Sequence, residues 1–276
     1  MSASAAIAGL LSGLGSGPVF VHSDPFRAAS LVPRTKDRSA FTDSHIDLLH
    51  ASTDGRSLWM PAFNYDFPRT KSFDVANDES QLGPIPERFR TRVADWRTPI
   101  PIFSASGTGK ALDLEWGEKT DPFGDDSLFS RLVETDGVIL YYGDTFHYNT
   151  IVHYAERVAG GPAYRYDKMF PGIVTDGRRS KTSGSLNYHV RPMGMGLEYD
   201  WSGLLSRALN AGACIRSEEY SQLLASDAGT LTQFFVDEMR TDPLALLDTD
   251  TRSWVEPKLD QLGRRFELED FETPSA

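Results

Sequence analysis

The strongest constraint on the fold is an apolar run, Val138 to Tyr142, that passes through a sharp break into a helix. Its β-branched and aromatic side chains are typical of a buried strand. Gly143 and Asp144 end the run, and Asn149 or Thr150 can cap a helix by accepting hydrogen bonds from its first backbone N–H groups. The apolar face of that helix would consist of Ile151, Val152, Ala155 and Val158.

The same helix carries His153 and Glu156, which are three residues apart, so both side chains can point to the same side. A strand, a turn and a helix with a histidine near its start would place a general base at the rim of a sheet. Solvated His–Glu pairs are also common on protein surfaces, and the spacing alone favours that simpler interpretation. As a general base, His153 would make activity rise with pH through a group near the usual histidine pKa of about 6 to 7.

Other kinds of catalytic chemistry have less support. His147, His153 and Glu156 are the residue types of a two-histidine, one-carboxylate metal site. His147 and His153 are six residues apart, which places them on different faces of a helix, so the sequence predicts no metal. Cys214 has apolar neighbours and no adjacent base, as an inert core thiol would, and the nucleophile motif G-x-S-x-G is absent. General-base chemistry by His153 remains.

The length of the chain, 276 residues, suits one large α/β domain or two small ones. The sequence shows no internal repeat and no linker that would separate two units. We therefore predict a single domain over residues 1–276. Within it we expect an N-terminal helix in residues 1–17 and a frayed, acidic tail over residues 266–276.

Local patterns also predict three further segments. Residues 64–98 read as a long irregular region, rich in aromatic side chains, of the kind that covers a site. Residues 99–103 read as a strand, and residues 201–264 read as helical throughout. Residues 176–181 form a basic hairpin tip between two predicted strands, which is either a phosphate contact or an ordinary solvated loop.

The charge of the chain restricts its partners. There are 28 Lys and Arg residues and 39 Asp and Glu residues, and the net charge is −11. This balance argues against nucleic-acid binding and would attract a cationic substrate such as an amine, although acidity for solubility alone explains it equally well.

The chain carries no evident targeting or membrane signal. No apolar run approaches the length needed to cross a bilayer, and the apolar centre of the N-terminus has no basic residue before it. With Cys214 as the single cysteine, an internal disulfide is excluded, which fits a reducing compartment. The sequence therefore predicts a cytoplasmic protein with neither a membrane nor a nucleic-acid partner.

Two turns are candidates for ligand contact. His22-Ser23-Asp24 follows an apolar strand, where α/β sheets place ligand-binding turns, although a plain helix cap explains it equally well. The segment SASGTGK at 104–110 is similar to a phosphate loop. However, Ser104 replaces its first glycine, and Ala111 follows Lys110 where a hydroxyl should hold magnesium. A nucleoside triphosphate site is not expected, but a turn whose backbone N–H groups face a ligand remains open.

A set of longer segments is more specific than these turns. It comprises VHSD at 21–24, MPAFNYDF at 60–67, LGPIPERFR at 82–90, RTPIPIFSASGTGK at 97–110, DPFGDDSLFSRL at 121–132 and NTIVHYAE at 149–156. In this order they resemble the aminoglycoside 3-N-acetyltransferase family, which depends on coenzyme A, over roughly Val19 to Leu247. The FNYDF motif, the FGDDS turn and the run from Tyr164 to Lys168 are most similar to the branch found with surface-polysaccharide genes. Members of that branch acylate amino sugars, some of them carried on a nucleotide diphosphate.

The resemblance implies a single-domain α/β sandwich around a mixed central sheet, with acyl-CoA as co-substrate and no metal. It implies that His153 is the base and that Glu156 is a carboxylate beside it. The residues implied to face the coenzyme are His22, Ser23, Ser104, Ala105, Ser106, Gly107, Phe123 and Gly124, and those implied to contact the acceptor are Asn64, Tyr65, Asp66 and Thr150. Ile100 and Asp24-Pro25 depart from the family pattern, where many members have His and Ser-Leu, and this affects the coenzyme contacts rather than the reaction class.

The sequence therefore predicts an acyl-CoA-dependent N-acyltransferase that acts on an amino sugar, with a nucleotide-linked sugar as the leading acceptor. Within the same class, the alternative is an aminoglycoside acetyltransferase that confers antibiotic resistance. Arg178, Arg179 and Lys181 would suit a nucleotide diphosphate, whereas the acidic balance would suit a polycation. A non-catalytic sugar- or coenzyme-binding protein is the alternative of another class, and a homodimer is a candidate assembly.

Overall fold

The structure, a computed structural model, describes residues 1–272. The helices are α1 (Ala3–Ser12), α2 (Arg38–Ser52), α3 (Phe67–Thr70), α4 (Pro84–Arg92), α5 (Leu128–Glu134), α6 (Ile151–Val158), α7 (Trp201–Asn210), α8 (Ala228–Thr241) and α9 (Thr249–Leu262). The strands are β1 (Val19–Ser23), β2 (Leu58–Pro61), β3 (Ser72–Asp74), β4 (Trp96–Arg97), β5 (Ala105–Gly107), β6 (Val138–Tyr142), β7 (Tyr166–Thr175), β8 (Lys181–Val190), β9 (Ile215–Arg216) and β10 (Leu223–Asp227).

The central sheet has the strand order β4-β5-β2-β1-β6-β10-β9. β1 runs parallel to β2 and β6, whereas β10 runs antiparallel to β6, so the sheet is mixed. β6 is the strand predicted from the apolar run, and all five of its residues are buried. The pairing places His22 of β1 directly beside Tyr141 of β6, so both side chains lie on the same face.

Helices cover both faces of this sheet, because alternate side chains of its strands point to opposite sides. Phe20 and Ile139 pack on one face with residues of α5, α6 and α8, whereas Val19 and Val21 pack on the other face with residues of α1, α2 and α4. The predicted α/β sandwich around a mixed central sheet is confirmed. The predicted division into one domain is tested by no observation and stays a prediction.

A second, three-stranded sheet in the order β3-β7-β8 lies beside the first. β7 and β8 form a long antiparallel hairpin that pairs Tyr166 with Val190 at its base and Thr175 with Lys181 at its tip. The basic segment 176–181 is therefore a hairpin tip, as predicted.

Two predicted segments differ from the structure in the region before β6. Residues 64–98 are not irregular throughout, because they contain α3, β3, α4 and β4. The strand expected at residues 99–103 is absent from the described fold, and the pairing lies instead in β5. Pro99 and Pro101 have no backbone N–H to donate, and Ile102 has φ of 65°, so the chain turns here and extends only afterwards.

The helical prediction for residues 201–264 is wrong between α7 and α8. β9 and β10 lie there, and β10 pairs with β6 along its full length, from Leu223 opposite Tyr142 to Asp227 opposite Val138. A run of five residues such as LLASD is too short for its periodicity to separate a buried strand from a helix.

The chain termini are ordered where the structure describes them. α1 confirms the predicted N-terminal helix. The frayed tail is wrong for residues 266–272, because Phe266 is fully buried and stacks on Trp254, and Glu272 accepts a hydrogen bond from Tyr166 at 2.7 Å. The rest of that prediction, residues 273–276, lies outside the described residues. Within residues 1–272, no helix combines the length and apolar character that a membrane crossing requires.

Candidate active site

A cavity of about 1010 Å³ opens beside the carboxyl end of β1. Its walls come from the turn after β1, the segments after β2 and before α4, the start of α6, the β7–β8 hairpin and the segment that leads into α7. Parallel strands of an α/β sheet present their carboxyl ends at one edge, which is where ligands usually bind.

The start of α6 brings His153 to this cavity. Ile151, Val152 and Ala155 anchor the helix in the core, which turns His153 toward the cavity and Glu156 inward. The His153 side chain is 22% exposed, whereas Glu156 is fully buried. His153 Nδ1 lies 2.9 Å from Glu156 Oε2, so the pair is a partly buried, directed hydrogen bond rather than the solvated surface pair that spacing alone favoured.

A second histidine approaches the same carboxylate oxygen from the β7–β8 hairpin. His189 Nε2 of β8 lies 2.8 Å from Glu156 Oε2, and the His189 side chain is fully buried. Glu156 therefore joins two imidazole rings, of which only that of His153 borders the cavity.

The other carboxylate oxygen of Glu156 has its own donors. Tyr164 donates to Glu156 Oε1 at 2.9 Å, and Tyr199 donates to it at 2.5 Å. Arg165 Nε lies 3.4 Å from the same oxygen, and a second nitrogen of Arg165 donates to the Tyr199 hydroxyl at 2.8 Å. These contacts hold the carboxylate in one orientation, because each of its lone-pair directions faces a donor.

The charges in this network follow from burial and from Arg165. Burial alone would raise the pKa of Glu156, but the Arg165 charge and the hydrogen bonds from His153 and His189 hold that pKa well below its ordinary value. Burial, with Arg165 nearby, lowers the pKa of His153 to about 4, although Glu156 opposes the shift. At neutral pH the network therefore contains an ionised carboxylate and a neutral imidazole, and the pKa of His153 lies below the range of about 6 to 7 that the sequence suggested. The rise of activity with pH stays a prediction.

The tautomer of His153 follows from these charges. An ionised carboxylate can only accept hydrogen bonds, so the His153 Nδ1 carries the proton that it shares with Glu156. The lone pair is then on Nε2, the nitrogen left for a group in the cavity. A neutral imidazole with a free Nε2 can accept a proton from a bound ligand.

Four residues of this network carried no role in the sequence analysis: Tyr164, Arg165, His189 and Tyr199. The run from Tyr164 to Lys168 was recognised only as a motif, without a function for either of its first two residues. His189 lies 33 positions after Glu156, and Tyr199 lies 43 positions after it. A histidine inside a partly apolar strand is the one signal that could have pointed to His189.

The same network contains the described residues that could hold a metal ion. Donor atoms of His153, Glu156 and His189 lie within 4.8 Å of one another. His147, which the sequence grouped with His153, does not belong to this set. One ring nitrogen of each histidine, Nδ1 of His153 and Nε2 of His189, is at hydrogen-bond distance from Glu156, which accounts for the arrangement by itself. The absence of a metal stays a prediction.

Of the other predicted site residues, four line the cavity: His22, Ser23, Tyr65 and Thr150. Asn64 and Asp66 do not, because they support the loop after β2. Asn64 donates to the backbone of Glu79 at 2.9 Å and accepts from the Asp66 N–H at 3.0 Å.

The remaining predicted coenzyme contacts also lie away from the cavity. Residues 104–107 are fully buried at β5, where Ser104 donates to the backbone oxygen of Ala62 at 2.6 Å. Phe123 is buried with its ring 5.1 Å from that of His153 and 5.7 Å from that of His189, and Gly124 follows it in the same turn. These segments therefore lie behind the cavity wall, and their contact with the coenzyme stays a prediction.

Comparisons with known proteins agree with this architecture. The family model described as aminoglycoside 3-N-acetyltransferase matches residues 47–208, which is more than half of the chain. Aminoglycoside N(3)-acetyltransferase VII from Streptomyces paromomycinus is 31% identical over 134 residues, covering 46% of this chain and 44% of that protein. The match thus spans less than half the length of this curated relative.

Solved structures share the fold at low sequence identity. One described as AAC-IIIb in binary complex with CoASH has a TM-score of 0.67 at 19% identity, over 87% of this chain and 97% of that one. A histidine-to-alanine mutant of aminoglycoside acetyltransferase AAC(3)-IVa in complex with apramycin has a TM-score of 0.62 at 19% identity, over 88% and 93%. The YokD protein from Bacillus subtilis has a TM-score of 0.58 at 14% identity, over 87% and 94%.

Proposed function

The chain belongs to the aminoglycoside 3-N-acetyltransferase family, and on that premise we propose that it transfers an acetyl group from acetyl-CoA to an amine of an aminoglycoside. The observation that carries the proposal is the buried Glu156 carboxylate, which holds His153 at 2.9 Å on the wall of the cavity. A neutral histidine held in this way has the tautomer and the position that a general base requires.

In the proposed reaction the acceptor amine attacks the thioester carbonyl carbon, and His153 Nε2 takes the proton that the nitrogen loses. The carbon–sulfur bond then breaks, and the leaving thiolate receives that proton from His153 to become a thiol. Between these two transfers His153 is an imidazolium, which the Glu156 carboxylate stabilises through Nδ1. No covalent acyl-protein intermediate is required.

The surrounding residues keep the Glu156 carboxylate ionised and oriented toward His153. Arg165 and the hydrogen bond from His189 keep the pKa of the carboxyl low, so it stays ionised throughout the neutral range. Tyr164 and Tyr199 hold its other oxygen, which prevents the carboxylate from turning away from His153.

The cavity fits a large co-substrate together with an acceptor. Its volume of about 1010 Å³ is at the upper end of the range for small-molecule sites, which is about 300–1,000 Å³. His22 and Ser23, at the end of β1, are the residues that we propose to contact the acetyl donor, whose thioester supplies an activated carbonyl. Tyr65 and Thr150 are the proposed acceptor contacts.

From sequence motifs, a nucleotide-linked amino sugar was the leading acceptor. Two observations reduce the support for this acceptor. The curated relative and the neighbouring structure that contains apramycin are both described as aminoglycoside acetyltransferases. The basic tip, with Arg178 and Arg179, does not border the cavity. The nucleotide-linked amino sugar is therefore supported only by the sequence motifs of the polysaccharide branch, and it becomes the second candidate acceptor.

The test is His153→Ala, assayed by release of the coenzyme A thiol and by mass spectrometry of the acceptor. We expect turnover to fall by about 10²–10⁴-fold, the usual contribution of a positioned base, while calorimetry still detects coenzyme A binding. His147→Ala is the matched control at the same cavity and should have a much smaller effect, because His147 has no contact with Glu156. If His147→Ala were inactive and His153→Ala nearly normal, the assignment of His153 as the base would be wrong.

A further inference from the structure

The charged groups on the cavity wall leave an excess of carboxylates. Arg165 is already matched by Glu156, which lies behind the wall at 3.4 Å. Among the described residues, the other permanent charges of the wall are three carboxylates and two cations, namely Asp24, Glu198 and Glu272, and Lys168 and Arg191. Such an excess suits an acceptor with several ammonium groups, because each ammonium that leaves water needs a negative partner.

Two of the three carboxylates are poorly suited to hold a ligand ammonium. Asp24 Oδ1 accepts from the backbone N–H groups of Phe26 at 2.9 Å and Arg27 at 3.1 Å, so it shapes the turn after β1. The Glu198 side chain is 61% exposed and lies 3.1 Å from Arg191, which is 53% exposed. Water and salt screen charges at such exposed positions, so an ion pair there contributes little to binding.

The third carboxylate, Glu272, is brought to the wall by the segment that follows α9. In this segment the Phe266 N–H donates to the backbone oxygen of Ala163 at 2.8 Å, and the Phe271 ring stacks on Tyr166 at 5.8 Å with an angle of 8°. These contacts pack the segment against the base of the β7–β8 hairpin and place Glu272 on the cavity wall. The family match ends at residue 208, so this part of the wall lies outside it.

The Glu272 carboxylate is ionised and held in one orientation. Its Oε1 accepts from the Tyr166 hydroxyl at 2.7 Å, its Oε2 forms an ion pair with Lys168, and its side chain is 24% exposed. Burial alone would raise the pKa of Glu272, but the hydrogen bonds from Lys168 and Tyr166 hold that pKa below its ordinary value. A carboxylate offers about four acceptor positions, and these two side chains use two of them, so the group can accept a further donor.

The partner of Glu272 is the same chemical group as an amine of the acceptor. Lys168 presents a primary ammonium on a flexible four-carbon stem, and its side chain is 29% exposed. Its Nζ also lies 5.5 Å from the centre of the Phe170 ring, which is a second favourable position for a cation. The Lys168 ammonium can therefore leave the carboxylate to a ligand and keep a partner of its own.

We propose that Glu272 binds an ammonium group of the acceptor other than the amine that is acetylated, in the place that the Lys168 ammonium takes in the free protein. This assignment rests on the proposed aminoglycoside acetyltransferase function and adds a specificity-determining residue to it. In the complex, Lys168 turns toward the Phe170 ring. The acceptor is then held at two points, with the reacting amine at His153 and a second ammonium at Glu272.

Calorimetry with kanamycin tests the ammonium site without turnover, because protein saturated with coenzyme A has no acetyl group to transfer. Glu272→Gln keeps the shape of the side chain and an acceptor for Tyr166 but removes the charge. Kanamycin should bind about ten- to a hundredfold more weakly to this variant, and its affinity should fall less steeply with salt. Glu269→Gln makes the same charge change at an exposed position of the same segment, away from the cavity, and should alter neither quantity.

Lys168→Met should change the affinity in the opposite direction. Without the competing ammonium, kanamycin should bind about two- to fivefold more tightly, as expected for removal of one partly exposed ion pair, while coenzyme A affinity stays the same. If both Lys168→Met and Glu272→Gln weaken kanamycin binding, the ion pair only holds the hairpin and the C-terminal segment together, and the inference is overturned. Unchanged kanamycin affinity in Glu272→Gln overturns it as well.

Thiol release from acetyl-CoA decides the proposed function separately. If kanamycin causes release, and Glu272→Gln raises its KM with little change in kcat, both statements are supported. If kanamycin causes release with the same KM in Glu272→Gln, the acetyltransferase function stands and the ammonium site is overturned. If no amine causes release although kanamycin binding depends on Glu272, the proposed function is overturned and the ammonium site stands.

Discussion

Acid should destabilise this protein steeply, because it buries histidines in their neutral form. Burial, with His147 nearby, lowers the pKa of His22 to about 3. Burial lowers the pKa of His45 to about 4, and burial with Arg165 nearby lowers that of His153 to about 4. In the unfolded chain each histidine would titrate near its ordinary value of about 6.5.

The sign and size of the effect follow from proton binding. Between about pH 6.5 and pH 4 these histidines are protonated in the unfolded chain but remain neutral in the folded protein. The free energy of unfolding is therefore highest above about pH 6.5 and falls as the pH drops. Each group contributes about 1.4 kcal/mol per pH unit in this window, so the three together contribute about 4 kcal/mol per unit. From about pH 6.5 to pH 4 the loss sums to about 10 kcal/mol, which is comparable with total stabilities of about 5–15 kcal/mol, so most of the stability should be lost near about pH 4. Glu156 acts only at lower pH, because the pKa of its carboxyl is already below the ordinary value.

Urea denaturation followed by tryptophan fluorescence at about pH 7, 6 and 5 would measure this slope. His45→Gln should reduce it by about one third, because Gln can still bond to the Tyr142 hydroxyl, which lies 2.6 Å from His45, but binds no proton. His50→Gln, at an exposed position of the same helix, is the control and should leave the slope unchanged. A flat stability profile, or a slope that His45→Gln does not alter, would refute the reasoning.

Three further variants test other parts of the site. Cys214→Ala should keep most activity, because burial raises the pKa of the thiol to about 11 and transfer needs no acyl-cysteine; an acylated Cys214 seen by mass spectrometry would contradict this. Ser104→Ala should lower the midpoint of thermal unfolding and leave the KM for acetyl-CoA unchanged, since its hydroxyl bonds inward to Ala62. His189→Phe should lower kcat by about ten- to a hundredfold through the loss of one bond to a charged group, and His189→Gln should recover part of it; equal kcat in both variants would mean that His189 only fills space.

The parts of the site that sequence predicts correctly are local. The strand β6, the break at Gly143 and the helix that carries His153 and Glu156 lie within one short stretch, where periodicity decides the structure. The predicted side-chain cap is wrong, because Thr150 is the N-cap residue of α6 and makes no capping hydrogen bond. The choice between a surface pair and a buried pair is not local, because it depends on Arg165 and His189, which come from other elements.

The turn at residues 104–107 shows the opposite error. Its glycine and hydroxyl content suggested a ligand-facing loop, but such loops and short strands buried within a sheet use the same small residues. Gly107 has no side chain because the Trp96 and Trp59 rings occupy that space, where an added Cβ would lie 2.2 Å from Trp96. The glycine content indicates that another group lies close to the backbone. Only the fold shows whether that group is a ligand or, as here, a tryptophan ring.

The position of β6 has a consequence for how this chain acquires its structure. Its two neighbours in the sheet are β1, at residues 19–23, and β10, at residues 223–227, so the centre of the sheet joins segments that are about two hundred positions apart. The family similarity covers residues 47–208 and includes neither neighbour. In a chain truncated to that segment, the backbone N–H and C=O groups on both edges of β6 would be unpaired, and the strand would be prone to self-association. The central pairing of this sheet therefore cannot form until both ends of the chain are present, and pairing between such distant segments is slow to form.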